Sequence, residues 1–335
     1  MSPLPRVFAS RRLPGRALER LAPLVRLQVW PEPGAPPPEA LAEGVRAAEG
    51  LLCLLTDSVD ASLLAASPAL RVISSCSVGV DHVDLVGATA RGIPVGHTPG
   101  VLAETTADLA FGLLLAAARR IVEADRQLRA GCWTWEHRWD PDGLLGRDVH
   151  GATLGVVGLG AIGRAVAARA QGFRMRVLGW SRAHRDLPGV ERVALPELLE
   201  AADFVSVHLA LAPETRGLLD AAALGRMRDG AILVNTARGG IVDEEALAGA
   251  LRSGRLAAAA LDVFAREPLD ATSPLWDAPN LVLTPHIGSA SIATRIRMAD
   301  LAVDNLLAGL EGRPMPHCAN PGFAVGAGGP TGGGA

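Results

Sequence analysis

Midway along the chain, Gly158-Leu159-Gly160-Ala161-Ile162-Gly163 forms a G-x-G-x-x-G run. Before it, Ala152 to Val157 is short and apolar, as a buried strand is, and after it Arg164 to Gln171 reads as the Ala-rich start of a helix. Strand, glycine turn and helix in that order is the context in which such a run binds a dinucleotide. One glycine makes the tight turn, one admits backbone N–H groups close to a pyrophosphate, and one lets helix and strand pack in contact. The helix N-terminus then faces the phosphate charge. Gly158, Gly160, Ala161, Ile162 and Gly163 are therefore candidate cofactor-binding residues. The position of the run constrains the fold further: nearly half of the 335 residues precede it, so a simple N-terminal dinucleotide domain is excluded.

A chain of this length predicts about two domains, and 49% hydrophobic residues supply two cores. The net charge of -3 gives no broad basic field for a nucleic acid or an anionic membrane. No apolar run reaches the ~18–20 residues of a membrane span. Met1 to Arg12 lacks an uninterrupted apolar stretch and leads into a predicted strand, so it reads as folded protein and not as a signal peptide. Cys53, Cys76, Cys132 and Cys318 are scattered without metal-ligand spacing, which points to buried free thiols in a reducing cytoplasm. The histidines other than His286 also lack metal-ligand spacing, and no metal site is expected. The chain has no tyrosine and no lysine: all 32 basic residues are arginines. Chemistry that needs a Tyr–Lys pair or a Schiff base is excluded, and anions must be held by guanidinium or backbone groups.

The first hundred residues alternate short apolar runs with Ala/Leu-rich stretches, with strands predicted at Val7–Ala9, Gly50–Leu55, Arg71–Ser75 and Ile93–Val95. This is the pattern of a small parallel α/β unit. Val101 to Arg120 reads as one long helix, and Gly131 to Gly146 as a loop carrying Trp133, Trp135 and Trp139. Half of the six tryptophans in one such stretch favours interface or substrate contact over core. From the glycine run onward, six strands are predicted: Leu154–Val157, Arg176–Gly179, Phe204–His208, Ala231–Asn235, Ala257–Asp262 and Leu281–Thr284. Six strands from one glycine turn make a doubly wound parallel sheet. A last helix is predicted at Ile292–Leu310, and a disordered glycine-rich tail at 323–335.

A carboxylate about 20 residues past the glycine run normally takes the ribose 2′-hydroxyl. Val177-Leu178-Gly179-Trp180-Ser181-Arg182 holds none there. Ser181 and Arg182, with Arg185 nearby, can instead bond a 2′-phosphate, so NADP(H) is expected to be preferred, with NAD(H) possible. Three further segments follow predicted strands: Asn235 to Gly240 with Arg238, Leu261 to Pro268 with Glu267, and Thr284 to Ser289 with His286. The C-terminal edge of an open α/β sheet is where ligands bind. Singly, these residues read as a surface charge, a loop carboxylate and a turn histidine; together they supply an anion clamp, a carboxylate and an imidazole, the set needed to reduce a 2-keto acid. Arg238 would grip the substrate carboxylate with its planar fork. His286 would deliver the proton that a reduced carbonyl oxygen requires, with Glu267 fixing its tautomer.

The order and spacing of the glycine run, N-T-A-R-G-G, D-V-F-A-R-E-P and T-P-H-I-G-S resemble the D-isomer-specific 2-hydroxyacid dehydrogenases over nearly the whole chain. Within that family, Ser77-Val78-Gly79-Val80-Asp81-His82, Gly92 to Arg120, the tryptophan loop and Asn305 to Pro316 are similar to the glyoxylate/hydroxypyruvate reductases. The resemblance implies an α/β fold of two Rossmann-like domains. A doubly wound cofactor domain, 100–285, is inserted into a smaller flavodoxin-like substrate domain, 1–99 with 286–322, and the active site lies in the cleft. It implies a homodimer through the cofactor domain, with Val101–Arg120 in the interface. It further implies that Val78 and Gly79 N–H groups bind the substrate carboxylate, that Asp262 meets the nicotinamide carboxamide, that Ala210 and Thr236 line the cofactor, that Gly288 and Ser289 flank the catalytic histidine, and that Trp139 limits substrate size from the partner subunit. Another dehydrogenase of the family, and a dinucleotide-sensing corepressor on the same fold, stay open as alternatives.

Overall fold

The computed structural model describes residues 3–182 and 187–325. Arg185 lies outside the described residues, as do 326–335 of the expected tail. The strands are β1 Arg6–Ala9, β2 Arg26–Val29, β3 Gly50–Cys53, β4 Val72–Ser75, β5 Val95–Gly96, β6 Thr153–Val157, β7 Arg176–Trp180, β8 Glu191–Arg192, β9 Phe204–Val207, β10 Ala231–Asn235, β11 Leu256–Leu261 and β12 Leu281–Leu283. The helices are α1 Ala17–Leu21, α2 Pro38–Val45, α3 Ala61–Ala65, α4 Leu85–Ala90, α5 Ala103–Ala118, α6 Ile121–Arg129, α7 Ala161–Gly172, α8 Leu195–Ala201, α9 Ala221–Arg226, α10 Glu244–Arg252 and α11 Ile292–Leu310. The chain divides into two units, one drawn from Met1–Leu102 and Ala290–Ala335, the other from Ala103–Ser289.

The first unit holds a five-stranded parallel sheet in the order β2-β1-β3-β4-β5, the order of flavodoxin-like sheets. Alternation along β1 directs Phe8 into one core, with Leu51 and Ile73, and Val7 and Ala9 into the other, with Val303 and Leu306 of α11. Asp60 and Asp84 start α3 and α4 by accepting from the Leu63 and Gly87 N–H groups. Strand β2 escapes the sequence pattern because it is an edge: Arg26 and Gln28 are exposed and Leu27 and Val29 only half buried.

The second unit holds a seven-stranded parallel sheet in the order β12-β11-β10-β9-β6-β7-β8. Counted from β6, this is the doubly wound order 3-2-1-4-5-6 with one strand added, and its switch point lies between β6 and β9. All six expected strands form, and the seventh, β8, is a two-residue edge. Its cores lie on opposite faces: Ile232 and Val234 join α5 and α7 on one, and Ala231 and Leu233 join Leu247 and Leu251 of α10 on the other. The expected 101–120 helix is shorter, Ala103–Ala118, because Arg120 adopts φ 53° and α6 begins immediately after it. In α5, Ala107, Ala110, Phe111, Leu114 and Ala117 are buried in the core of their own unit. Phe323 to Val325, expected in the tail, belong to a 3-10 turn over Pro321–Val325. Cys53 and Cys76 are buried free thiols, as expected, but Cys132 is exposed, because it lies in the tryptophan loop outside any core. No described helix is long and apolar enough to cross a membrane.

Two glycines of the run are required by the fold itself. Gly158 adopts φ +109°, and a Cβ there would lie 2.4 Å from the His208 carbonyl oxygen. A Cβ on Gly163 would lie 1.9 Å from the Gly158 carbonyl oxygen, so the first turn of α7 packs on the loop only without a side chain. Gly163→Ala is expected to destabilise the protein by ~1–3 kcal/mol through overpacking, read as a lower urea midpoint at unchanged slope.

Candidate active site

Strands β12, β11 and β10 are neighbours in the sheet, so the loops leaving their C-terminal ends stand side by side. Those three loops carry His286, Glu267 and Arg238. The ladder continues past the strands: Asp262 N–H donates to the Asn235 carbonyl (2.9 Å) and Thr284 N–H to the Leu261 carbonyl (2.9 Å). Each loop therefore starts from a fixed point.

His286 adopts φ 53°, left-handed backbone that a side chain rarely takes. Holding such a residue costs ~1–3 kcal/mol, and Asp262 supplies the hold. Its carbonyl accepts from His286 N–H (2.8 Å), its Oδ1 from Thr284 Oγ1 (2.6 Å) and Ile287 N–H (2.8 Å), and its Oδ2 from Gly288 N–H (2.8 Å). Asp262 is fully buried, and burial pushes its carboxyl above the ordinary range against those hydrogen bonds and the charge of His286. The residue expected at the nicotinamide thus stands beneath the histidine turn as its brace.

His286 Nδ1 is 2.7 Å from Glu267 Oε2. The carboxylate accepts, so Nδ1 carries a hydrogen and Nε2 is the nitrogen left to face a substrate. Glu267 Oε1 accepts from Phe264 N–H at 3.0 Å. Burial works to raise the Glu267 carboxyl, but the His286 hydrogen bond, the Phe264 N–H and the charges of His286 and Arg238 outweigh it and hold the group below its ordinary range. Arg238 is thereby part of the same electrostatic cluster. The residues expected to carry the chemistry are brought together on one sheet edge.

Three supporting residues were not singled out from the sequence. Asn235 closes the turn to Arg238: its Oδ1 accepts from Ala237 N–H and its Nδ2 donates to the Arg238 carbonyl, both at 3.0 Å. Glu244, at the start of α10, accepts from Ala265 N–H at 2.6 Å; burial raises its carboxyl, as do the neighbouring charges of Asp243 and Glu267. Thr215 Oγ1 joins the Ala210 carbonyl (2.7 Å) to Ala212 N–H (2.8 Å) and shapes the loop after β9. Of the three, Asn235 alone stood near a catalytic candidate in the sequence, three residues before Arg238. Gly239 lets the β10 loop pass the β11 loop, since a Cβ there would lie 1.8 Å from the Phe264 carbonyl carbon.

The glycine loop fits a dinucleotide. Gly160 begins α7, yet a Cβ on it would meet nothing within 4 Å. No neighbour in the fold requires glycine there, and the open space lies at a helix N-terminus, where a phosphate can be held. Ala161 and Ile162 follow in the first turn of α7. Thr236 Oγ1 and His208 Nδ1 are buried without hydrogen-bond partners at the ends of β10 and β9, which is the C-terminal edge where a ligand supplies them. His208 Nε2 is 2.8 Å from Ser206 Oγ, and burial lowers the imidazole to about 3, so the ring is neutral. Past β7, the Ser181 carbonyl accepts from Arg192 (3.2 Å), and Arg182 meets Glu214 at 3.3 Å in an exposed pair that contributes little.

Val78 and Gly79 follow β4 in the first unit, where both are half-buried. Ser289 ends the second unit and is half-buried, and Gly288 is buried against Asp262 and Thr106. Trp139 is exposed at 82%, and Trp133 and Trp135 at 65% and 78%, so none of the three belongs to the core.

Comparison with known proteins identifies the family. Residues 111–288 match the model of the D-isomer specific 2-hydroxyacid dehydrogenase NAD binding domain. A glyoxylate reductase of Korarchaeum cryptofilum is 47% identical over 320 residues, covering 94% of this chain and 96% of its own. Among solved structures, the TT0316 protein of Thermus thermophilus is 51% identical, with a TM-score of 0.88 over 94% of this chain and 99% of its own. The NADPH-dependent glyoxylate/hydroxypyruvate reductase of Sinorhizobium meliloti, in complex with NADP and malonate, is 33% identical with a TM-score of 0.84, covering 95% and 98%. The chain belongs to the D-isomer-specific 2-hydroxyacid dehydrogenase family. It is an NAD(P)-dependent oxidoreductase acting on CH–OH donors.

Two outcomes follow from the site. Glu267 has a lower pKa folded than unfolded, so it stabilises the fold above its unfolded value of ~4.3 and that contribution is lost as pH falls. Glu267→Gln is expected to be less stable than wild type at pH 7, with the gap in urea midpoints narrowing as the pH falls below ~4.3; a gap that does not change with pH counts against the ion pair. Gly160→Ala is expected to keep the wild-type urea midpoint while weakening NADPH binding at least ~10-fold, ~1.4 kcal/mol, in a fluorescence titration.

Proposed function

We propose that the protein is an NADPH-preferring reductase of glyoxylate to glycolate and of hydroxypyruvate to D-glycerate. The observation that carries this reading is the His286–Glu267 pair on a braced turn, with Arg238 in the same electrostatic cluster. Relatives named glyoxylate reductase, at 41–47% identity over 94% of the chain, support the substrate class.

The bound nicotinamide supplies the hydride. Arg238 grips the substrate carboxylate in its planar fork and polarises the adjacent carbonyl. Backbone N–H groups of Val78 and Gly79 share that carboxylate. His286 gives its Nε2 proton to the carbonyl oxygen as negative charge develops there, and Glu267, held as a carboxylate, supplies the counter-charge for the imidazolium. Asp262 works through the turn that aims the imidazole, and Gly288 and Ser289 complete the wall beside it.

Gly158 to Gly163 cradle the pyrophosphate, and Ala210 and Thr236 line the cofactor. NADPH preference is supported by the absence of a carboxylate from Val177 to Arg182 and by Ser181 and Arg182 in its place. Arg185 is assigned to the same phosphate on its sequence position alone. The protein is proposed to act as a homodimer through the Ala103–Ser289 unit. The apolar surface favours α6 and the tryptophan loop over α5: Ile121, Leu128, Trp133, Trp135, Trp139 and Leu145 are all more than half exposed. Trp139 would then limit substrate size in the partner's site.

Steady-state kinetics with glyoxylate, hydroxypyruvate and pyruvate, each with NADPH and NADH, test the reading. His286→Ala is expected to lower kcat by ~10²–10⁴-fold, and near-normal turnover would refute the mechanism. Arg182→Ala is expected to lower kcat/KM with NADPH ~10-fold while leaving NADH nearly unchanged. Equal efficiency of the wild type with both cofactors would overturn the preference.

A further inference from the structure

Beneath the Val78–Val80 loop, three successive carbonyls are tied to buried or half-buried groups. The Ser77 carbonyl accepts from Thr98 N–H at 2.8 Å. The Val78 carbonyl is 3.0 Å from His97 Nδ1, and the Gly79 carbonyl accepts from Ser77 Oγ at 2.7 Å. Ser77 and Thr98 are buried, whereas Val78, Gly79 and Val80 are half-buried. In a planar trans peptide the carbonyl and the following N–H point in opposite directions. Tying these three carbonyls inward therefore turns the N–H groups of Val78, Gly79 and Val80 away from the anchors.

The hydrogen-bond directions are determined as well. A carbonyl only accepts, so His97 Nδ1 carries a hydrogen and Ser77 Oγ gives its own to Gly79. Ser77 Oγ must then accept from Ser75 Oγ, 2.7 Å away, and Ser75 Oγ must accept from His82 Nε2, 3.0 Å away. His97 is held in turn by fully buried Asn305 of α11, whose Nδ2 donates to the His97 carbonyl (2.8 Å) and whose Oδ1 accepts from His317 N–H (2.9 Å).

We infer that His97, with the Ser75–Ser77 hydroxyl pair, positions the Val78–Val80 backbone as an anion cradle whose donors include the Val80 N–H. The inference rests on the reading of this loop as a holder of the substrate carboxylate. His97 and Ser77 are positioning residues: they touch the loop and not the substrate.

Replacing His97 by Leu releases the Val78 carbonyl and lets its peptide rotate. Glyoxylate KM is expected to rise about tenfold, equivalent to ~1.4 kcal/mol, with kcat changed less than about threefold and NADPH KM unchanged. His97→Asn is the rescue, because its Nδ2 stands as many bonds from the backbone as the imidazole Nδ1, and KM should return to within about threefold of wild type. Ser77→Ala removes the second anchor and should raise KM likewise, which keeps the test decisive if the Leu variant does not fold. With methyl glyoxylate, which lacks the anionic carboxylate, the penalty should vanish. An unchanged glyoxylate KM in a folded anchor variant, a penalty that Asn fails to remove, or an equal penalty on the ester overturns the inference. Wild-type protein that reduces no 2-keto acid refutes the underlying reading instead, and the two failures are therefore distinct.

Discussion

A single buried carboxylate sets the reactive edge of the second unit. Asp262 is fully enclosed, and its two oxygens collect Thr284 Oγ1 and the N–H groups of Ile287 and Gly288, while its carbonyl takes the His286 N–H. These bonds keep His286 at a positive φ that it would leave if the turn were loose. Once the turn is held, the imidazole Nδ1 meets Glu267 and its Nε2 is left for another partner. Glu267 is fixed in turn by Phe264 N–H, and its loop by Glu244 through Ala265 N–H. The catalytic geometry is thus a short series of carboxylates accepting backbone N–H groups, each ordering the loop next to it.

Close backbone approach is the second constraint. Gly158 and Gly239 each stand where a Cβ would collide with a neighbouring loop's main chain, and Gly163 where it would collide with the turn before its own helix, so β6 and β9, and β10 and β11, leave the sheet in backbone contact. Gly160 differs, because open space surrounds its Cβ position and no packing contact calls for glycine there. Two glycines of one run thus answer to packing and one does not, a distinction that the letters of the run do not contain.

Much of this was legible in the sequence because it depends on local periodicity. Buried strands read as apolar runs, so β6, β7, β9, β10, β11 and β12 were found from the letters, and α11 was found to the residue. Edge strands were not: β2 alternates polar and apolar residues over only four positions and β8 has only two residues, so neither pattern is long enough to stand out. The break at Arg120 was also invisible, since the helical pattern runs through it and only its φ shows the chain turning.

The sequence by itself determined the inventory: a glycine turn in the middle of the chain, no lysine or tyrosine, no carboxylate from Val177 to Arg182, and Arg238, Glu267 and His286 each just beyond a predicted strand. Residue types and short spacings are properties of the chain, and they limit the chemistry before any folding. Only the tertiary structure decided what those residues do to one another. It placed β10, β11 and β12 side by side, put Asp262 beneath the histidine turn, and tied His97 to the Val78 carbonyl 19 residues away in sequence. The physical reason is that a hydrogen bond acts over about 3 Å of space whatever the distance along the chain, and only strand order and packing bring such pairs within reach.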